Sequence, residues 1–434
     1  MVLVDHVRCA YCGSCVSVCP IGALELAETR LMVDQSCTDC GLCLSACPTG
    51  ALQFELAGGS ESRGAGLPLQ RQYDVIVVGA GPAGSIAACN AARRGLSVLL
   101  LEKRQEIGSP VRCAEGVSHE QLIPFIAPDE RWISTTVTFA EFTLIGDDGQ
   151  AETMRGEGRL GYVLERRVFD RALAEEAATA GAEVRVKTAA TALILDAGLV
   201  QGVRVRGPAG EAEIACRVVI GADGVEARVG DWAGLNTTLP QRDAMSCAQF
   251  LLAGIDVDHT CTCYYVGKNI APGGYAWIFP KGEGRANVGL GVQADVVERP
   301  ALDYLVRFVE SQPHLEQGSP VTLVTGGVPV APPLPRLVTG GLILVGDAAR
   351  QVEPLTGGGI TNAMAAGRLA AEVAAECIAA GDVSATALSG YETRWHAGWG
   401  RGLARRYRLK EKFPPAMRTT RNFMRVFAAA VGSK

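Results

Sequence analysis

"YDVIVVGAGPAGSIAACNAARRGLSVLLLEK", residues 73–103, is the stretch that decides the fold. An apolar run comes first, followed by the glycines Gly79-x-Gly81-x-x-Gly84, an Ala-rich segment and a second apolar run. This order predicts a strand, a tight turn, a helix and another strand, which is the setting of a dinucleotide-binding fingerprint. The glycines let the backbone turn sharply and approach a pyrophosphate at the helix N-terminus. We therefore predict an α/β nucleotide-binding domain.

Glu102 ends the second of these predicted strands, 18 residues after Gly84. A carboxylate at this point accepts hydrogen bonds from ribose hydroxyls and repels a 2′-phosphate. NADP is therefore disfavoured, whereas FAD and NAD both remain open from this motif alone.

The first 54 residues hold a repeat in which "CAYCGSCVSVCPIGAL" at Cys9 returns as "CTDCGLCLSACPTGAL" at Cys37. In such runs three thiolates bind one iron–sulfur cluster, and the fourth cysteine, before proline, binds the other cluster. Four-cysteine zinc sites have wider gaps between their CxxC pairs, which disfavours zinc. The segment resembles bacterial-type ferredoxins. We expect two [4Fe–4S] clusters, one held by Cys9, Cys12, Cys15 and Cys47, the other by Cys37, Cys40, Cys43 and Cys19.

Composition describes a globular protein of 434 residues, 48% hydrophobic and 20% charged. No run of about 18 apolar residues suggests a membrane span, and the N-terminus lacks a signal-peptide pattern. We expect a cytoplasmic protein. From Tyr391 to Lys434 the chain has 11 Lys and Arg against two Asp and Glu. Such a basic segment favours anionic surfaces, although a solvated helix face would have the same composition. Nothing indicates base recognition, so nucleic acid is not an expected partner.

The predicted organisation has six parts. A Gly/Ser/Pro-rich stretch marks a linker, and apolar and aromatic runs after residue 232 predict an antiparallel sheet inserted into the nucleotide-binding domain. The parts are a ferredoxin domain (1–55), a linker (56–72), the first part of the FAD-binding domain (73–231), an antiparallel-sheet substrate domain (232–330), the second part of the FAD-binding domain (331–388) and a basic helical segment (389–434).

Two later motifs favour FAD over NAD. "VVIGADGVEARVG" (218–230) and "LILVGDAARQVEPLTGGGITNAMAAG" (342–367) both resemble the hydroxylase-like FAD proteins. Amides at the start of the helix after "TGGG" would stabilise negative charge on reduced flavin. Arg166 in "ERRVFDRAL" matches an arginine that lies along the cofactor in these proteins, and Arg167 next to it is an alternative.

A narrower resemblance rests on "PGGYAWIFPKGEGRANVGLG" (272–291) and "PVRCAEGV" (110–117), which are similar to segments of the geranylgeranyl reductases. The likeness runs from about residue 73 to the end of the chain. It implies a Rossmann-like, hydroxylase-type FAD fold with an inserted antiparallel-sheet domain and a helical C-terminus, preceded here by a small α+β ferredoxin-like domain. The resemblance also implies FAD contacts at Ala83, Glu102, Cys113, Ala114, Gly116, Arg166, Ala190, Asp347, Gly359 and Ile360.

Tyr275, Trp277 and Phe279 alternate along a predicted strand and share one face. They form either an aromatic wall for a prenyl chain or ordinary sheet packing. Cys113 lies outside the cluster motifs, and we predict that it donates a proton or positions substrate rather than being an inert core thiol. Cys261 and Cys263 are either metal ligands or, as we expect, buried structural thiols.

The hypothesis is an FAD-dependent reductase that saturates geranylgeranyl chains of archaeal-type membrane lipids or related prenyl substrates. Electrons would reach FAD through the clusters from a ferredoxin or another low-potential donor. The basic segment would dock peripherally on anionic membrane, with its Phe and Met side chains entering the lipid interface. The alternative is an electron-transfer flavoprotein acting on a quinone without alkene chemistry. An O₂-dependent hydroxylase fits poorly with oxygen-sensitive clusters.

Overall fold

A computed structural model describes residues 2–27, 30–54, 70–418 and 420–432. Most of the linker predicted over 56–72 lies outside these residues. In chain order the strands are β1 (Val2–Val4), β2 (Leu24–Ala27), β3 (Arg30–Val33), β4 (Leu52–Phe54), β5 (Gln72–Val78), β6 (Val98–Leu101), β7 (Gly116–Ser118), β8 (Ile133–Ile145), β9 (Ala151–Leu164), β10 (Glu183–Arg185), β11 (Ala189–Asp196), β12 (Leu199–Gly207), β13 (Gly210–Gly221), β14 (Ala244–Ala253), β15 (Cys261–Val266), β16 (Tyr275–Gly282), β17 (Arg285–Gln293), β18 (Ser319–Pro329), β19 (Val338–Thr339) and β20 (Leu342–Leu344).

The helices are α1 (Ser14–Ser17), α2 (Leu42–Ala46), α3 (Pro82–Ala92), α4 (His119–Leu122), α5 (Arg166–Thr179), α6 (Arg228–Trp232), α7 (Ala301–Glu310), α8 (Pro313–Glu316), α9 (Ile360–Ala380), α10 (Ala385–Leu388), α11 (Gly390–Ala397), α12 (Leu403–Glu411) and α13 (Arg421–Val431). A short 3₁₀ segment, Gly346–Ala349, follows β20.

The N-terminal module shows the internal repeat as a repeated structure. Strand β1 pairs with β4 and β2 pairs with β3, both antiparallel. Gly13 and Gly41 precede α1 and α2 with φ of +77° and +78°, a conformation that glycine adopts without strain. The two cysteine runs therefore fold into equivalent turns, each closed by a short helix.

The first large sheet carries the nucleotide-binding fingerprint. Its order is β10-β6-β5-β13-β12-β11, with β20 also paired to β13. Pairings among β10, β6, β5, β13 and β20 are parallel, whereas β12 and β11 extend the sheet as antiparallel strands. Helix α3 packs between α5 and α9. Strands such as β6 are buried along their whole length, as expected for a parallel sheet covered on both faces.

The second large sheet is wider than the sequence predicts. Its order is β18-β14-β17-β16-β15-β8-β9-β7, so three of its strands lie between residues 116 and 164, in the range expected to belong to the FAD-binding domain. It is also not purely antiparallel, because β15 pairs with β8 in parallel. Local patterns indicate strands without identifying their distant partners, so the sequence did not assign these strands to a sheet.

The two faces of this sheet are covered by different helices. On β16, Ala276 and Ile278 face a core shared with Leu305 and Phe308 of α7. The alternating residues Tyr275, Trp277 and Phe279 face a second core that includes Phe427 of α13. The predicted alternation is therefore present, and the C-terminal helix closes the aromatic face.

Two cations anchor the C-terminal segment. Lys410 is 4% exposed and donates to the Val330 carbonyl at 2.6 Å. Arg418 is 7% exposed and donates to the Gly273 carbonyl at 2.7 Å. Phe423, Met424 and Phe427 are buried. The expectation that Phe and Met side chains of this segment enter a lipid interface is wrong for these three, because they pack against the sheet instead. Among the described residues, no helix combines the length and apolarity needed to cross a bilayer.

Candidate functional site

The glycine turn after β5 has the shape that its sequence predicts. Gly79 has φ of +105°, and a Cβ there would lie 2.3 Å from the Ala222 carbonyl oxygen. A Cβ on Gly84 would lie 1.9 Å from the Gly79 oxygen, so α3 starts in direct contact with the turn. A Cβ on Gly81 would meet nothing within 4 Å. Open space at the helix N-terminus is the cradle that a pyrophosphate requires, so these residues fit the ADP part of FAD.

Glu102 lies beside this turn at the end of β6. Its carboxylate accepts the Ala80 N–H at 3.2 Å and the Arg104 N–H at 2.9 Å. Ala190, on β11, is half-buried and packs against the hydrophobic core of the first large sheet. Nearby, Asp223 accepts the Val229 N–H through Oδ2 at 3.0 Å, while its buried Oδ1 has no hydrogen-bond partner among the described residues. Buried carboxylate oxygens in native proteins are normally paired, so Oδ1 is left for a bound molecule.

Asp347 joins the late motif to the fingerprint. It sits in the 3₁₀ turn after β20, where a Cβ on Gly346 would lie 3.2 Å from the Ala83 Cβ. A Cβ on Gly359 would lie 3.3 Å from Asp347 Oδ1, and Ile360 is the first residue of α9. Burial raises the pKa of Asp347, and the positive charge of Arg166 opposes that rise. The structure thus brings together motifs more than 250 residues apart.

Arg166, rather than Arg167, faces this region. The Arg166 side chain is 14% exposed and binds Asp170 through two hydrogen bonds of 2.7 and 2.8 Å. Arg167 is 55% exposed and pairs with Glu106 at the surface. Arg166 is therefore the candidate that lies near Cys113 and Asp347, and its contact with a cofactor stays a prediction.

The Cys113 turn lies between the two sheets. Cys113 Sγ accepts the Glu115 N–H at 3.2 Å, and its carbonyl accepts Gln249 Nε2 at 3.1 Å. Burial raises the pKa of the Cys113 thiol, while Arg166 acts in the opposite direction. Burial also raises the pKa of Cys247 to about 12, with Cys113 adding to the effect. A protonated thiol is thus favoured at Cys113 at neutral pH.

A buried polar network holds this turn, and the sequence did not reveal it. Glu115 accepts hydrogen bonds from Lys281 Nζ at 2.8 Å, Asn287 Nδ2 at 2.6 Å and the Arg166 N–H at 2.7 Å. Gln249 Oε1 accepts the indole N–H of Trp277 at 2.9 Å. The only local signals were two polar residues inside apolar strands, Lys281 in β16 and Asn287 in β17.

The aromatic face is joined to both turns. A Cβ on Gly116 would lie 2.8 Å from the Phe279 ring, and the Tyr275 hydroxyl donates to the Thr356 carbonyl, just before the glycine-rich turn. Ala114 packs at the edge of the same apolar cluster. The Tyr275 and Phe427 ring centroids are 4.7 Å apart. The rings thus pack in a core that borders the Cys113 turn, as the second of the two predicted uses requires, and a contact with a prenyl chain stays a prediction.

In the N-terminal module the cysteines lie in two groups, and each group takes its fourth cysteine from the other run. Cys9, Cys12, Cys15 and Cys47 line one pocket together with Leu26, Leu31 and Leu52. Burial raises the pKa of the Cys43 thiol, and Cys37, Cys40 and Cys19 add to the increase. Cys19 and Cys47 each accept a backbone N–H at 3.3 Å, from Ala23 and Ala51. Four thiols around each of two centres fit the donor set of a [4Fe–4S] cluster.

Cys261 and Cys263 remain without further ligands. Cys261 is 2% exposed on β15. Within residues 2–27, 30–54, 70–418 and 420–432, no three His, Cys, Asp or Glu side chains converge on a position for a single metal ion. The expected burial is thus present at Cys261, whereas Cys263 on the same strand is half-buried; a structural role for the two thiols stays a prediction.

Comparison with known proteins defines the class first. Residues 72–273 match a family model described as FAD binding domain, and residues 1–61 match one described as 4Fe-4S dicluster domain. A flavin-dependent brominase shares the fold, with a TM-score of 0.63 at 18% identity over 83% of this chain and 94% of its own. The chain is thus an FAD-binding protein with an iron–sulfur module.

The family follows from closer relatives. Residues 243–328 match the geranylgeranyl reductase catalytic domain. The chain is 49% identical over 351 residues to a digeranylgeranylglycerophospholipid reductase of Methanosphaerula palustris, covering 80% of this chain and 87% of the relative. A Methanosarcina acetivorans protein of the same name is 51% identical over 339 residues, covering 76% and 82%. A solved geranylgeranyl bacteriochlorophyll reductase-like protein from Thermoplasma acidophilum is 38% identical, with a TM-score of 0.76 over 83% of this chain and 96% of its own. The chain belongs to the geranylgeranyl reductase family.

Proposed function

We propose that this protein saturates the C=C bonds of geranylgeranyl chains in a digeranylgeranylglycerophospholipid, using FAD and electrons delivered through iron–sulfur clusters. The two relatives named above, which are 49% and 51% identical to this chain, are both named digeranylgeranylglycerophospholipid reductase. One structural observation supports the assignment best. The aromatic face of β16 touches the Cys113 turn through Phe279 and Gly116, and touches the glycine-rich turn through Tyr275 and Thr356.

An apolar chain needs this kind of wall. An isolated alkene has no polar group that a protein can hold, so burial of the prenyl chain must supply the binding free energy, about 0.8 kcal/mol per CH₂. The rings of Tyr275, Trp277 and Phe279 form a continuous apolar surface, with neighbouring centroids 5.7 and 6.4 Å apart. We propose that the edge of this surface beside Cys113 contacts the reacting isoprene unit.

Saturation of one C=C bond adds a hydride to one carbon and a proton to the other. Reduced FAD supplies the hydride when it is bound. We propose that the Cys113 thiol gives the proton, since burial favours its protonated form. Arg166, within electrostatic reach of Cys113, stabilises the thiolate that remains until a proton from solvent replaces the one donated. Gln249 holds the Cys113 carbonyl and so fixes the turn.

The cofactor contacts that we propose are those expected from the sequence. Gly79, Gly81, Ala83 and Gly84 surround the pyrophosphate, Glu102 and Ala190 the adenosine, and Asp347, Gly359 and Ile360 the ribityl and flavin end. Cys113, Ala114, Gly116 and Arg166 border the flavin from the opposite side. For the clusters we propose the ligand sets Cys9, Cys12, Cys15, Cys47 and Cys37, Cys40, Cys43, Cys19. The domain boundaries predicted above are retained as proposals, with strands 116–164 assigned to the second sheet.

Access to a membrane lipid is proposed to be peripheral. Arg401, Arg405, Arg408 and Lys412 are exposed on the C-terminal segment, and Trp399 and Met417 beside them are 38% and 48% exposed. Basic side chains of this kind attract anionic head groups, while exposed apolar side chains can enter the interface. This surface, rather than the buried Phe423 and Phe427, would contact lipid.

The test is anaerobic incubation of FAD- and cluster-loaded protein with dithionite and digeranylgeranylglycerophospholipid in mixed micelles. Mass spectrometry should show products heavier by 2 Da for each bond reduced, up to full saturation. Menaquinone in place of lipid is the parallel arm. Quinone reduction with no saturated lipid would overturn the proposal and support an electron-transfer flavoprotein. A protein heated before the reaction is the control for chemical reduction by dithionite.

A further inference from the structure

The N-terminal module touches the FAD-binding domain at a defined surface. Arg8 is 7% exposed, and a Cβ on Gly210, at the turn between β12 and β13, would lie 3.7 Å from Arg8 Nη2. Lys187, just after β10, places its Nζ 4.9 Å from the centroid of the Tyr11 ring. A lysine at this distance over a tyrosine face is held by a cation–π interaction. Tyr11 lies between Cys9 and Cys12, so this surface borders the first cysteine run.

Lys187 is rigidly placed by the FAD-binding domain. Its N–H donates to the Arg104 carbonyl at 2.7 Å, and the next residue, Thr188, donates to the Glu102 carbonyl at 2.9 Å. Its φ is +53°, a left-handed conformation that is unfavourable for a residue other than glycine. The surrounding hydrogen bonds keep it in that conformation, and they tie it to the segment that carries Glu102.

The charges at this surface favour contact with a cluster. Burial lowers the pKa of Lys187, whereas Cys9 and Asp5 of the N-terminal module act in the opposite direction. Cys9 is the first proposed ligand of the cluster formed with Cys12, Cys15 and Cys47. A [4Fe–4S] cluster with four thiolates carries net negative charge, and a neighbouring cation stabilises its reduced, more negative form.

We propose that Lys187 is the docking residue that holds the first cluster against the FAD-binding domain, making that cluster the point at which electrons leave the ferredoxin module for FAD. This inference rests on the proposed electron route of the previous subsection. Each transfer oxidises one reduced cluster and gives FAD one electron. Two transfers and two protons from solvent complete its reduction, and a low-potential one-electron carrier re-reduces the clusters.

The arrangement separates electron entry from lipid entry. Lys187 follows β10, the edge strand of the first sheet, whereas the Cys113 turn is held by β14, β16 and β17 of the second sheet. The module therefore docks on the Glu102 side of the FAD site and not at the Cys113 turn, where we propose that the prenyl chain binds.

The experiment compares Lys187→Glu with Arg204→Glu in the full, FAD- and cluster-loaded protein. Arg204 lies on β12 of the same domain, is 62% exposed and pairs with Glu213, so its reversal makes the same charge change without removing the contact between Lys187 and Tyr11. After anaerobic mixing with one electron equivalent of dithionite, rapid-freeze EPR follows reoxidation of the clusters, and absorbance near 450 nm follows flavin reduction. We expect cluster-to-flavin transfer at least tenfold slower in Lys187→Glu, and unchanged in Arg204→Glu.

Two further variants separate docking from folding. Lys187→Arg should keep the wild-type rate, because arginine retains both the charge and the cation–π contact. Lys187→Gln, a milder change, should give an intermediate rate with full cofactor content. Equal transfer rates in Lys187→Glu and Arg204→Glu would overturn the proposal. Lipid saturation by protein whose FAD has been fully reduced beforehand should be the same in all variants. Absence of saturation in the wild type would count against the proposed function and leave the Lys187 comparison intact.

Discussion

Glu115 and Lys281 form a buried ion pair in which Oε2 and Nζ are 2.8 Å apart and the side chains are 5% and 2% exposed. Glu115 has φ of +75°, unusual for a residue with a Cβ. Lys281 also donates to the Leu164 carbonyl. This pair joins the Cys113 turn to the centre of the second sheet. Because Glu115 is two residues from Cys113 and its carboxylate is held by Lys281 and Asn287 of the second sheet, we infer that the pair determines the position of Cys113 relative to the aromatic face.

Removal of one partner should be costly. Lys281→Met leaves Glu115 buried without a cation, which typically costs about 3–5 kcal/mol. Glu115→Gln should cost less, because Lys281 Nζ also lies 3.1 Å from the partly exposed Glu165 carboxylate. The double variant removes both charges and should recover most of this loss in the free energy of unfolding. Urea denaturation of the FAD-loaded protein measures the free energy of unfolding of each variant. Single variants as stable as the wild type would show that the pair is dispensable.

Cys113→Ala should separate hydride supply from proton supply. Loss of a general acid typically lowers a rate by 10²–10⁴-fold. We expect lipid saturation to slow within about that range, while FAD content and reduction of FAD by dithionite stay normal. Cys247→Ala is the matched control, because it removes a neighbouring buried thiol without touching the turn. A Cys113→Ala enzyme with wild-type turnover would exclude proton donation.

The pH dependence of the reaction follows from the same thiol. Burial raises the pKa of Cys113 above its ordinary value. A proton donor works in its protonated form, so saturation by pre-reduced enzyme should stay constant through neutral pH and fall only in alkaline solution. Cys113→Ala should lose this alkaline limb. A decline that begins below pH 7 would point to another donor.

Gly81→Ala should weaken FAD binding without unfolding the domain. A Cβ at Gly81 meets no protein atom within 4 Å but enters the space assigned to the pyrophosphate. We expect the Kd for FAD to rise at least tenfold, or ~1.4 kcal/mol, with the apo-protein's unfolding midpoint unchanged. Gly390→Ala, also without neighbours within 4 Å, is the control and should bind FAD normally. Fluorescence titration of the apo-protein with FAD gives both values.

Binding to anionic vesicles should depend on the exposed basic residues of the C-terminal segment. Each basic side chain near such a surface contributes about 1 kcal/mol. The double variant Arg405→Glu/Arg408→Glu should sediment at least tenfold less with phosphatidylglycerol vesicles than the wild type. Arg204→Glu/Arg206→Glu makes the same charge change on β12 and should not affect sedimentation. No difference between the two variants would remove the proposed membrane role from this segment.

Sequence motifs predicted the parts of the site that depend on neighbouring residues. The turn at Gly79 and Gly84 and the repeated cysteine runs are requirements of local backbone geometry, so a short pattern is sufficient to recognise them. The alternation of Tyr275, Trp277 and Phe279 is likewise a property of one strand. The sequence did not show which distant residues and strands these elements contact in the folded protein. It did not distinguish Arg166 from Arg167, nor did it assign β7, β8 and β9 to the second sheet, because those outcomes depend on packing against distant elements.

By itself the sequence determined the FAD fingerprint, the two cysteine runs and the family, since each is carried by residue type and spacing along the chain. Tertiary structure alone decided that Glu115 pairs with Lys281, that Gln249 and Asn287 hold the Cys113 turn, and that α13 buries its aromatic residues. It also decided that Lys187 meets Tyr11. The contacts at the Cys113 turn and at Lys187 join residues between 136 and 176 positions apart, and Phe427 of α13 meets Tyr275 and Phe142, which are 152 and 285 positions away. Strand register and helix packing bring them together, and no local pattern encodes either one.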